Sequence, residues 1–110
     1  MLTRRRVVIT GLGIISPVGN AVAGAWANIL AGKSGISRIT RFDPSAFSAQ
    51  IAGEVKGFDA TQYMSAKEAR RMDTFIHFGM AAGTQALRDS GLQVSPENAE
   101  RIGVNIGSGI

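Results

Sequence analysis

Four places in the 110-residue sequence hold residue types that could do chemistry. The first is Thr10-Gly11-Leu12-Gly13 behind an apolar run, an arrangement that in G-x-G-x-x-G form cradles a dinucleotide pyrophosphate. The third glycine would have to stand at position 16. The chain has Ser16 there, followed by Pro17, and the fingerprint fails. The glycines then serve tight turning beneath other elements. The second place is Lys67, Arg70 and Arg71, spaced i, i+3 and i+4 so that a helix would put all three on one face. They stand near the start of the expected helix, where the dipole disfavours cations, so an acidic partner competes with the plain reading of a solvated face. The third is His77, the one histidine, with no cysteine and no evident acid partner, which reads as a surface or packing residue. The fourth is Ser108 in Gly107-Ser108-Gly109, half of a nucleophile elbow without G-x-S-x-G and without a base.

The elements that must position these residues follow from period and punctuation. Arg6 to Thr10 is a short β-branched run ending at Gly11, continuous in the way of a strand buried on both faces. Asn20 is placed to cap a helix running to about Ala31, with Val22, Trp26, Ile29 and Leu30 on one side and Gly32 as its stop. From Lys33 to Tyr63 the apolar pieces are short and broken by Gly35, Asp43-Pro44, Gly53 and Gly57. This stretch is an irregular excursion with one short strand near Ile51 to Val55. Ser65 with Glu68 makes a capping box for a helix whose stripe is Ala69, Met72, Ile76, Met80, Gly83 and Leu87, ending at Gly91. Ser95-Pro96-Glu97 opens a second, short helix, and Ile102 to Ile106 is apolar enough for another buried strand. Strand, helix, excursion, helix, helix, strand is an α/β order, with both strands in one sheet and, if parallel, joined by a right-handed crossover.

Composition narrows the classes. Twelve Lys and Arg against eight Asp and Glu leave a net charge of +4, but no aromatic interleaving marks a nucleic-acid surface. With no cysteine, disulfides, thiolate metal sites and a thiol nucleophile are excluded within these residues. The arginines Arg4 to Arg6 precede an apolar run broken by Gly11 and Gly13, far short of the ~20 residues a membrane span needs. A cytoplasmic protein without metal, cofactor, nucleic acid or membrane is the expectation.

A family resemblance emerges from the motifs taken in order. R-R-V-V-I-T-G-L-G-I-I-S-P-V-G-N from Arg5 to Asn20 resembles the opening of β-ketoacyl synthases. W-x-x-I-L-A-G-K-S-G-I from Trp26, F-D-P-S-A-F from Phe42 and I-A-G-E-V from Ile51 follow in register. So do S-A-K-E-A-R-R-M-D-T-F-I-H-F-G from Ser65, A-L-x-D-S-G-L from Ala86 and R-I-G-V-N-I-G-S-G-I at the end. The resemblance covers essentially the whole chain and is closest to the type II elongating enzymes of fatty-acid synthesis, with polyketide ketosynthases sharing parts of it.

The resemblance implies a thiolase-like α/β fold, with residues 1–110 forming the first part of its N-terminal half. It implies a homodimer that extends acyl chains by decarboxylative Claisen condensation with malonyl-acyl carrier protein. The family's chemistry uses a cysteine nucleophile and two histidines, none of which lies in these residues; His77 matches neither histidine. Lys67, Arg70 and Arg71 match positions that dock the acidic helix of acyl carrier protein. Ile110 matches a branched residue beside the acyl pocket, with plain core packing as the competing role. The 110 residues alone are expected to be catalytically inactive and poorly stable, because strands made for mid-sheet would keep open edges. The alternatives are a non-catalytic carrier-binding module, a polyketide ketosynthase segment and, least favoured, a nucleotide-binding domain.

Overall fold

In the computed structural model, residues 3–109 are described. Helix α1 spans Val22–Leu30, α2 Ala66–Ala69 and α3 Thr74–Ser90. Strands β1 (Ile36–Arg38) and β2 (Ile51–Gly53) form an antiparallel pair in which Ser37 faces Ala52, and single 3₁₀ turns lie at Ala60–Gln62 and Ala99–Arg101.

α1 stops where its sequence says, with Gly32 left-handed at φ 69° just past the cap Ala31. Its start differs from expectation. Ala21 is the N-cap and receives no side-chain bond, while the Asn20 amide instead donates to the Lys56 carbonyl at 2.7 Å and ties the helix entry to the excursion. The excursion contains the expected strand, shortened to Ile51–Gly53, and a partner in β1 that its polar, broken sequence does not advertise. Beyond the two strands it is held by Glu54. The carboxylate accepts from the Thr40 amide and hydroxyl and from the Arg41 amide, and pairs with the Arg41 guanidinium at 3.9 Å.

The single helix expected from Ser65 to Ser90 is two. The capping box is present as read, with the Glu68 amide donating to the Ser65 hydroxyl at 3.1 Å and the Ser65 amide to the Glu68 carboxylate at 3.0 Å. The chain then breaks at Arg70–Asp73, because the Asp73 carboxylate takes the Thr74 amide at 2.7 Å and starts α3 afresh. The short helix expected after Pro96 is a turn ending in the 3₁₀ element, organised by the Asn98 side chain accepting the Ser95 amide at 2.7 Å.

Among the described residues the expected strands at 6–10 and 102–106 do not form, so they do not share the sheet expected of them. Among the described residues, no backbone–backbone hydrogen bond involves residues 3–15 or 103–109. Both segments lie against α3 instead. Gly11 and Gly13 come so close that a Cβ on either would collide with the carbonyl oxygens of Ala86 and Ala82, which explains the glycine pair without a nucleotide. Ile106 approaches Gly79 and Gly83 on the same helix. Side chains of α3 satisfy two amides of the first segment: Asp89 accepts from Leu12 at 2.9 Å and Gln85 from Ile14 at 3.1 Å. An apolar groove of about 560 Å³ opens between the segments, floored by Gly79, Gly83 and Ala86. Among the described residues, the buried hydrophobic side chains are those of Ala25 and Ala81, and the radius of gyration is 17.8 Å. A compact chain of this length would have a value of about 13 Å.

Candidate functional site

The basic cluster sits where α2 gives way to α3. Lys67 lies within α2, Arg70 is its C-cap and Arg71 follows in the turn. The Arg70 amide bonds the Ala66 carbonyl at 3.2 Å and the Arg71 amide the Glu68 carbonyl at 3.0 Å. The turn therefore tightens but continues through both arginines. All three residues are exposed, and among the described residues none of their side chains forms an ion pair or hydrogen bond. Glu68, the nearest acid, is engaged with Ser65, and those bonds hold its carboxyl below the usual carboxylate range. A cationic face with its local acid already committed suits an acidic partner better than self-neutralisation.

The framework behind this face is built from α3. Phe58 meets Phe78 edge-on at 5.2 Å and stacks on Tyr63 at 6.1 Å, fixing the approach to α2. The Gln85 amide donates to the Asn20 carbonyl at 2.7 Å and the Tyr63 hydroxyl at 2.9 Å while its oxygen holds Ile14. One residue thus joins the first segment, the α1 entry and the approach to α2. Sequence reasoning missed Gln85, and its partners 71, 65 and 22 positions away explain why.

Of the remaining candidates, His77 touches the backbone of this face and Ser108 does not. His77 is half-buried on α3, with Nε2 2.8 Å from the Ala69 carbonyl. Ser108 borders a hollow with Phe75, Ile76 and Phe78 and has no base among its neighbours there. Ile110 lies outside the described residues. No group of three or more potential metal-binding side chains occurs among the described residues, and no helix there is long and apolar enough to cross a membrane.

The profile of the β-ketoacyl synthase N-terminal domain matches residues 4–110. The chain belongs to the β-ketoacyl synthase family. Its relatives include the 3-oxoacyl-[acyl-carrier-protein] synthase 2 of Vibrio cholerae, 62% identical over 109 residues that make up 99% of this chain and 26% of that protein. The corresponding synthase of Coxiella burnetii is 52% identical over 99% of this chain and 26% of its own length, and that of Staphylococcus aureus 46% identical over 100% and 27%. The chain therefore spans about a quarter of the length of the curated relatives it matches. Among solved structures it is similar to the ishigamide ketosynthase/chain length factor, with TM-score 0.75 and 37% identity over 83% of this chain and 23% of that one. The α/β, thiolase-like architecture expected from the family motifs is thereby established for these elements, and a dinucleotide-binding domain is not what the chain is.

Proposed function

We propose that the chain is the N-terminal part of a 3-oxoacyl-acyl-carrier-protein synthase. In the full-length protein, residues 1–110 supply scaffold, the carrier-docking face and one wall of the acyl pocket. The reaction is acyl transfer: the enzyme's cysteine attacks the carrier thioester, takes the acyl group and releases the carrier thiol. The carbanion equivalent released by loss of CO2 from malonyl-acyl carrier protein then attacks the acyl-cysteine carbonyl and expels the cysteine thiolate, leaving a 3-oxoacyl chain two carbons longer on the carrier. The cysteine and histidines of that chemistry belong to other parts of the family's sequence. The observation that carries the reading is identity of 62% to a 3-oxoacyl-[acyl-carrier-protein] synthase 2 across 99% of the chain.

Lys67, Arg70 and Arg71 would receive the acidic carrier. Exposed pairs of this kind govern encounter and orientation more than affinity, and they are screened over about 8 to 10 Å at ordinary ionic strength. Ile110 would limit how deep an acyl chain reaches. A smaller residue there should shift the chain-length profile, and an unchanged profile removes that role. A cytoplasmic homodimer needing no cofactor or metal fits the reading. A polyketide ketosynthase is the second reading, favoured by the 37% match to a ketosynthase/chain length factor and disfavoured by the higher identities to fatty-acid enzymes.

The test is to incubate the full-length protein with a saturated acyl thioester and malonyl-acyl carrier protein and to follow CO2 release with the product's mass. One CO2 per two-carbon extension supports the proposal. Carrier binding without CO2 release would leave a non-catalytic carrier-binding module.

A further inference from the structure

His77 belongs to the first turn of α3, yet its ring reaches back across the break to α2. Its Nε2 lies 2.8 Å from the Ala69 carbonyl oxygen. A carbonyl only accepts, so Nε2 carries hydrogen and donates. Ala69 is the last residue of α2, and the same oxygen accepts the Met72 amide at 3.3 Å. One atom therefore both closes the turn and anchors it to α3.

That anchor matters because α2 has only four residues. A helix so short cannot hold an orientation through its own backbone bonds. Its approach is fixed by Phe58 and Tyr63 against Phe78 and Gln85. Its exit is fixed by the covalent turn and by His77. Arg70 and Arg71 follow Ala69 directly, so rotation at this joint would swing both guanidinium groups away from Lys67.

The geometry points to His77 as a positioning residue for carrier recognition: its bond to the Ala69 carbonyl presents Lys67, Arg70 and Arg71 as one surface. This rests on the docking reading above and adds to it the residue that sets the cluster's geometry without touching the carrier.

The experiment uses the full-length protein and measures kcat and KM for an acyl-carrier substrate and for the matching small acyl thioester. H77L removes the donor at similar volume. H77Q keeps an amide donor that can span to Ala69. H77L should raise KM for the carrier substrate roughly three- to tenfold, the scale of one lost hydrogen bond, with kcat and the small-thioester KM unchanged. H77Q should restore most of the loss. In a K67E/R70E/R71E background, H77L should add nothing further.

Equal losses on both substrates, or additivity with the charge reversals, would overturn the assignment. A normal response to charge reversal with no response to H77L would overturn it while leaving docking intact. No response to charge reversal itself would remove the docking reading and this one with it. If H77L does not accumulate as folded protein, H77N, whose shorter amide cannot reach Ala69, takes its place.

Discussion

The excursion with the basic turn, residues 36–73, and the two terminal segments at 3–15 and 103–109 are held in opposite ways. The first region satisfies itself: β1 pairs with β2, Glu54 gathers Thr40 and Arg41, Asp59 accepts the Thr61 amide, and Ser65 and Glu68 cap each other. The terminal segments leave several apolar side chains uncovered, Val7 at 93% and Val104 at 87% exposure, and among the described residues they have no backbone–backbone partners. Local polar bonds over short separations can shape a recognition surface. A sheet needs partners distant in sequence, and two buried alanines do not make a core. The difference is consistent with the docking proposed for the first region and with a scaffold role for the second.

The largest effect that would break this contrast is on folding itself. The 110 residues produced alone should show no sharp cooperative melt and should bind a hydrophobic dye, because the strand-forming segments keep open edges. A two-state transition with little dye binding would show that they pair without further chain. In the full-length protein, Gly13→Val forces a side chain into the Ala82 carbonyl and Gln85, and should cost about 3 kcal/mol in denaturant unfolding. A loss below about 1 kcal/mol would mean that the segment stands off α3. Gln85→Leu strands the Ile14 amide and the Asn20 carbonyl and should cost about 1 to 3 kcal/mol by the same measurement.

Smaller effects sharpen the self-contained region. Ser65→Ala removes half of the capping box and should cost about 1 kcal/mol. Glu54 is held below its ordinary pKa of 4.5, first by the Thr40 amide, then by the Thr40 hydroxyl and Arg41 against an opposing desolvation. A carboxyl lowered on folding contributes stability that is complete above its unfolded pKa and disappears as pH falls through the folded one. The full-length protein should therefore lose stability below about pH 4.5, with a shallower loss in Glu54→Gln. Equal slopes in the two proteins would remove Glu54 as the clasp of the excursion.

What could be read from the sequence divides along the same line. The Ser65–Glu68 box, the stop at Gly32 and the left-handed Gly91 that ends α3 depend on residues a few positions apart, and all are where the sequence put them. The break at Arg70–Asp73 was hidden because Ala69, Met72 and Ile76 continue one apolar stripe across it. Asp73-Thr74 was the signal that could have revealed it, since aspartate before a new run is a helix start. Asn20 has the right type for a cap but is drawn to Lys56, a partner 36 residues away. The basic cluster was legible as a cluster. That its flanks are pinned by Tyr63, Gln85 and His77 was not, because each bond closes a loop whose ends carry no shared pattern.

The most direct measurement compares carrier and small-thioester kinetics of the full-length protein with Lys67, Arg70 and Arg71 reversed to glutamate. The KM for the acyl-carrier substrate should rise about tenfold or more, with a weakened salt dependence and an unchanged small-thioester KM. Equal changes on both substrates, or none on either, would contradict the docking reading.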